Sequence, residues 1–180
     1  EHAQVLDLGT GTGAIALALA SERPGWAIKA CDAFDDAVAL AARNAARLDL
    51  KIDVLLSHWF DQLPSARYDL IISNPPYIAT NDEHLGQGDL RFEPDTALVS
   101  GADGLDDIRH LVAAAPEWLC PGGLLMLEHG YEQAPQVRDL FRSSGFKNIE
   151  TRQDYGQRDR LTMGYWRPEK PRPGSSLNAE

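Results

Sequence analysis

Val5-Leu6-Asp7-Leu8-Gly9-Thr10-Gly11-Thr12-Gly13 is a short apolar run that breaks into three alternating glycines, and the stretch that follows it is rich in Ala and Leu. The apolar run reads as a buried strand, and residues 13–22 read as a helix stopped by Pro24-Gly25. Glycines between a strand and a helix let the backbone turn tightly, and let a ligand approach with no Cβ in the way. Outward from this unit the same alternation repeats. Residues 26–32, 52–56 and 68–73 read as strands. Asp35–Leu48 carries Val38, Ala41, Ala45 and Leu48 at the spacing of one helical face. A long polar segment, 78–104, has the length of a lid or binding loop. Beyond it a helix is expected over 105–119, a turn at Pro121-Gly122-Gly123, a strand over 124–128 and a helix over 133–144. Two closing strands follow at 147–153 and 161–166. Strands alternating with helices imply an α/β fold with a mostly parallel sheet covered on both faces.

The 180 residues, 43% of them hydrophobic, suffice for one domain with a real core. That domain is assigned to residues 1–167, and the proline- and serine-containing residues 168–180 are expected to form a disordered tail. A net charge of −10 speaks against a nucleic-acid partner, whose phosphates call for Lys and Arg. No apolar run approaches ~18 residues and no secretory leader is visible, so a cytoplasmic protein without membrane contact is expected, and a monomer. Cys31 and Cys120 make neither a metal cluster nor a disulfide framework; reduced thiols and no metal are expected.

Two motifs carry chemistry. The glycine spacing is G-x-G-x-G, which departs from the G-x-G-x-x-G dinucleotide fingerprint. Asp7 precedes the glycines; a carboxylate there sits badly beside a pyrophosphate but suits a cation. Asp32, ending the second strand, can accept hydrogen bonds from both hydroxyls of a ribose. An anionic turn with a ribose acceptor points to S-adenosylmethionine. The second motif is Asn74-Pro75-Pro76-Tyr77, closing the fourth strand. Its prolines keep the backbone extended and remove two N–H donors. Asn74 then offers a side-chain oxygen, Pro75 a main-chain oxygen and Tyr77 a flat ring: two acceptors and a stacking surface for a planar NH2 group.

Together the motifs resemble those of the class I S-adenosylmethionine-dependent methyltransferases that modify exocyclic or amide nitrogen. Within that class the chain is similar, from about Val5 to Trp166, to the HemK-type release-factor glutamine N5-methyltransferases. Further matching stretches are Ser57-His58-Trp59-Phe60, Gly88-Asp89-Leu90-Arg91-Phe92-Glu93-Pro94, Leu127-Glu128-His129-Gly130 and Asp154-Tyr155-Gly156. Asn-Pro-Pro-Tyr is shared with DNA adenine and rRNA guanine methyltransferases, so adenine N6 or guanine N2 methylation is the alternative activity. The resemblance implies a Rossmann-like seven-stranded sheet with an antiparallel closing strand. It implies that Asp7, Gly9, Thr10, Gly11, Thr12, Gly13, Asp32, Trp59 and Asn74 line the cofactor, Trp59 beside the adenine. It also implies that Asn74, Pro75, Pro76 and Tyr77 hold the substrate amide, a glutamine of a release factor. His58 stands where the family usually has Asp. Arg91, Phe92 and Glu93 are candidates for ordering the long loop, whose stretch 78–107 holds eight acidic residues and one arginine and suits a basic protein partner. Glu128 and His129 fall near the site. The family's N-terminal helical domain is expected to be absent, because the first strand begins within a few residues of the N-terminus.

Overall fold

The computed structural model describes residues 2–82 and 98–168. Arg91, Phe92, Glu93 and the expected tail after Pro168 lie outside the described residues. Eleven elements follow one another: β1 (Gln4–Leu8), α1 (Ala14–Glu22), β2 (Ala27–Asp32), α2 (Asp35–Leu48), β3 (Asp53–Leu56) and β4 (Tyr68–Ser73), then α3 (Asp106–Trp118), β5 (Leu119–Glu128), α4 (Ala134–Ser143), β6 (Lys147–Gln153) and β7 (Asp159–Tyr165). The strands form one seven-stranded sheet in the order β3-β2-β1-β4-β5-β7-β6. β1 pairs in parallel with β2 and β4, β2 with β3, and β4 with β5. Only β7 runs the other way, antiparallel to both β5 and β6. This is the mostly parallel sheet with one reversed closing strand that the sequence led us to expect.

Alternation along β1 divides the core. Leu6 and Leu8 point into a large cluster that includes Ile108, Leu111, Val112 and Ala115 of α3 and Val137 and Phe141 of α4. Val5 points the other way, into a smaller cluster with Ala16 and Ala20 of α1 and Ile28 and Ala30 of β2. Small side chains let α1 lie close to the sheet, and this tight approach sets the glycine turn over the carboxyl end of β1. Gly13 is part of it: a Cβ there would meet Ala41 of α2 at 3.2 Å.

One expectation fails in part. Residues 121–123 do not separate a helix from a strand; β5 begins at Leu119 and runs through them. Pro121-Gly122-Gly123 is accommodated as an irregularity, since Tyr68 pairs with Leu119 but Leu70 with Leu124. Gly122 adopts φ +88, and its N–H bonds to the Trp166 carbonyl at 2.7 Å, so the extra residues are tied down by the strand end beside them. No helix among the described residues is long and apolar enough to cross a membrane.

Candidate active site

The carboxyl ends of β1, β2, β4 and β5 converge on one edge of the sheet. Leu8 is in register with Cys31 on one side and Ser73 on the other, so Gly9 and Asn74 leave neighbouring strands together. Ser73 Oγ–H donates to the Leu8 carbonyl at 2.7 Å and locks that junction.

The glycine turn is built around two carboxylates. Gly9, Gly11 and Gly13 all have positive φ (66, 55 and 83), a region costly to residues with a Cβ. α1 has Gly13 at its N-cap and so no side chain to satisfy its first N–H groups. Asp7 serves instead: its Oδ2 accepts from the Ala16 N–H at 3.2 Å and from the Thr10 hydroxyl at 2.7 Å. Its other oxygen, Oδ1, is buried with no hydrogen-bond partner among the described residues. Burial pushes the Asp7 carboxyl up to about 6; the bonds from Thr10 and Ala16 oppose the shift, and Asp32 adds to it. Asp32 is buried too, and holds the turn from the next strand: Oδ2 accepts from the Gly11 N–H at 2.8 Å and Oδ1 from the Phe34 N–H at 3.1 Å. A Cβ on Gly11 would meet nothing within 4 Å, so the turn faces open space on that side. Thr12 is exposed, and its carbonyl accepts from Asn44 Nδ2 at 2.8 Å.

Trp59 closes the floor. It is 8% exposed with φ +48, and its ring lies under Gly9, where a Cβ would meet Cζ3 at 3.2 Å. Its Nε1–H donates to Asp107 Oδ1 at 3.1 Å, and Asp107 Oδ2 accepts from Ser100 Oγ at 2.7 Å. Trp59 is thus a packed core aromatic in direct contact with the glycine turn. His58 beside it is exposed; its Nδ1 lies 3.4 Å from Asp61 Oδ2, and its backbone N–H donates to Gln62 Oε1 at 2.8 Å.

Asn74 projects into solvent at the end of β4 and makes no side-chain hydrogen bond among the described residues; Pro75 is buried, and Pro76 and Tyr77 are half-buried. Tyr77 is held from three directions. Its carbonyl accepts from Gln133 Nε2 at 3.0 Å, and Gln133 also accepts from the Gly130 N–H at 2.8 Å. Its hydroxyl oxygen accepts from Arg160 Nη2 at 2.7 Å and its O–H points to Glu128 Oε1 at 3.5 Å. The Arg160 guanidinium lies 5.2 Å from the ring centroid. Burial raises the Tyr77 phenol, and the Arg160 charge pulls it back. After Tyr77, Ile78 pairs with the stretch before α3: its N–H donates to the Leu98 carbonyl and its carbonyl accepts from the Ser100 N–H, both at 2.9 Å.

Of the residues flagged in the sequence, Asp7, the glycines, Thr10, Asp32, Trp59 and residues 74–77 come together at this edge. Glu128 joins them through Tyr77. His129 does not: it is fully buried, with Nδ1 on the Gly130 carbonyl and Nε2 on Thr162 Oγ1, both at 2.8 Å. Burial lowers its pKa and so favours the neutral ring. Arg160, Gln133 and Asp107 were not singled out in the sequence; each touches a flagged residue only through tertiary contact, and no local spacing marks them.

Residues 1–89 match the methyltransferase small domain family. The release factor glutamine methyltransferase of Pseudomonas aeruginosa is 56% identical over 92% of the chain, and that of Salmonella typhimurium is 51% identical over 92%. The chain spans 60% of the length of each of these relatives. A methyltransferase structure from Pyrococcus furiosus superposes with a TM-score of 0.69 at 16% identity, covering 91% of this chain and 75% of that one. The fold is therefore that of the class I methyltransferases, and it tolerates nearly complete replacement of sequence. Half-identity sustained over nine tenths of this chain goes well beyond what the fold requires, and over that length the chain is similar to a part of the release factor glutamine methyltransferases.

Proposed function

We propose that the protein transfers a methyl group from S-adenosylmethionine to the side-chain amide nitrogen of a glutamine, the one in the Gly-Gly-Gln segment of a peptide chain release factor. The observation that carries this reading is the juxtaposition of the anionic glycine turn with an exposed Asn74 on the adjoining strand, whose side chain makes no hydrogen bond among the described residues. The residues present fit the cofactor. The buried Asp7 carboxyl, whose Oδ1 has no hydrogen-bond partner among the described residues, places negative charge beneath the turn that suits a cationic ligand, the open side of Gly11 leaves room for it, and the Asp32 carboxylate can accept from ribose hydroxyls beside the N–H groups it already holds. When bound, S-adenosylmethionine supplies an electron-poor methyl carbon.

An amide nitrogen is a weak nucleophile because its lone pair is delocalised. In this reading Asn74 Oδ1 and the Pro75 carbonyl accept the two amide hydrogens, orient the nitrogen and favour positive charge growing on it, which is electrostatic preorganisation. The Tyr77 ring stacks on the amide plane. Fixing the nitrogen in line with the methyl carbon removes much of the entropic barrier, up to ~7–11 kcal/mol in the best intramolecular models. N-methylation itself makes the nitrogen acidic, and no strong base is assigned; His129, walled in between Gly130 and Thr162, could not reach a substrate. The test is methyl transfer from labelled cofactor to a release factor and, in parallel, to ribosomal RNA. Label on the glutamine supports the reading; label on RNA alone replaces it with a nucleic-acid amino methyltransferase, and label on neither overturns it.

A further inference from the structure

We propose that Arg160 is a positioning residue for Tyr77: from β7 it fixes the orientation of the ring over the amide-binding end of β4, with Glu128 as its own anchor. The inference rests on the reading of residues 74–77 as an amide site.

The need for such a residue follows from the motif. Pro75 and Pro76 restrict the backbone leading to Tyr77, but nothing in the motif sets the side-chain torsions of Tyr77, which determine where the ring faces. A stacking surface works only if its plane is fixed, and positioning errors on the order of 1 Å cost about a hundredfold in rate. The Gln133 clamp acts on the Tyr77 carbonyl, leaving the ring to be held elsewhere. Arg160 holds it at two points. One Nη2–H donates to the phenol oxygen at 2.7 Å, and the guanidinium lies 5.2 Å from the ring centroid. Nη2 also donates to Glu128 Oε1 at 3.1 Å, so the guanidinium is itself held in place. Its backbone is fixed as well, since the His129 N–H donates to the Arg160 carbonyl at 2.9 Å and Leu161 is in register with Glu128. The reversal of β7 matters here. Running antiparallel to β5, it begins at the same edge where β4 and β5 end, and so delivers an arginine from its first turn of pleat to the corner formed by residues 74–77.

A neighbouring pair provides the control. Arg158 lies 5.5 Å from the ring centroid of Tyr131, which is 53% exposed, and no carboxylate pairs with Arg158 among the described residues. The same interaction type therefore occurs twice on this edge, once anchored against the proposed amide site and once free on the surface.

The test combines kinetics with a direct measure of the ring. Arg160→Ala is expected to lower kcat/KM for the release factor about tenfold, the scale of one charge-assisted hydrogen bond, with the loss mainly in kcat and with S-adenosylhomocysteine affinity unchanged. Arg160→Lys keeps the charge but loses the planar fork and should recover only part of the loss. In a Tyr77→Ala background the same Arg160→Ala change should cost less than about twofold, because a residue acting through Tyr77 has nothing left to act on. Independently of activity, 13C relaxation of labelled tyrosine rings should show greater ring mobility at Tyr77 in Arg160→Ala than in the wild type, with Arg158→Ala leaving Tyr77 unchanged. Equal losses in both backgrounds, or an unchanged Tyr77 ring, would overturn the proposal. A wild-type protein that methylates no release factor refutes the amide-site reading instead, and the ring measurement still decides whether Arg160 orders Tyr77.

Discussion

The two halves of the site are held by different means. The glycine turn is fixed by carboxylates acting on backbone N–H groups: Asp7 on Ala16, and Asp32 on Gly11 and Phe34. Most of these partners are near in sequence, with Asp32 reaching back to Gly11 across a single strand-helix-strand unit. The corner at residues 74–77 is fixed by side chains from far along the chain: Glu128 on β5, Gln133 at the start of α4 and Arg160 on β7. The first half can take shape with the first βαβ unit. The second is complete only when the last strand has docked. A ligand that binds the first half alone should therefore tolerate changes in the second, whereas turnover should depend on both.

The largest effect expected from breaking this division is on chemistry without binding. Asn74→Ala removes one preorganised acceptor and should lower kcat by ~10²–10³. S-adenosylhomocysteine affinity should hardly move, since Asp7, the glycines and Asp32 are untouched. Calorimetry alongside methyl transfer at saturating release factor checks both; near-normal turnover would remove Asn74 from the mechanism.

The next prediction addresses the stability of the glycine half. Asp7 titrates at about 6 instead of 3.8. A carboxyl raised on folding binds its proton more tightly in the folded state. Its contribution is therefore most favourable below pH 3.8, and is lost as pH rises through about 6. Above that the buried charge costs up to roughly 3 kcal/mol in the ligand-free protein. Asp7→Asn cannot ionise and keeps an oxygen for Thr10 and Ala16. It should be the more stable protein at pH 7 by up to that amount, with the gap narrowing towards pH 4, while its affinity for the cationic cofactor falls. Urea unfolding at the two pH values gives the sign directly, and a variant less stable than wild type at pH 7 would show that the hydrogen bonds outweigh the burial of charge.

Asp32→Ala should act on binding first. Losing a charge-assisted acceptor weakens S-adenosylhomocysteine by ~1.5–3 kcal/mol, and some of that loss will come from release of the Gly11 N–H, which Asp32 now holds at 2.8 Å. Hydrogen exchange at Gly11 separates the two contributions: faster exchange in the variant marks the loosened turn.

The same division explains what could be read from the sequence. Element order, the parallel sheet and the glycine turn were legible because each depends on local pattern: apolar runs of strand length, one-sided helical spacing, glycines between them. The candidate positions 7, 9–13 and 32 belong to that class, and so does the Asn-Pro-Pro-Tyr corner, whose proposed chemistry sits in consecutive residues. Arg160 was not legible, because it falls just outside the strand expected over 161–166 and reads as an ordinary polar residue until the start of β7 is set beside Glu128 and Tyr77. Asp107 looked like one more acidic residue in a solvated loop, yet it receives the indole N–H of Trp59. The turn expected at Pro121-Gly122-Gly123 failed for a related reason: its composition favours a break, and pairing with Tyr68 and Trp166 on either side overrides it.

The smallest expected effect is the most diagnostic of how the second half works. Tyr77→Phe keeps the ring, the prolines before it and the Gln133 bond to its carbonyl, and it deletes the phenol oxygen that accepts from Arg160. Arg160 retains Glu128 as a partner, so no buried charge is stranded. The loss should be that of one net hydrogen bond, about 1 kcal/mol, or roughly fivefold in kcat/KM. Tyr77→Ala removes the stacking surface as well and should cost substantially more. If stacking on the amide is what Tyr77 does, the two variants must differ, and the difference must appear in turnover of the protein substrate and not in cofactor affinity. Equal damage from both would mean that the hydroxyl, not the ring, is the working part, and would turn the Arg160–Tyr77–Glu128 cluster from a support for stacking into a polar contact with the substrate itself.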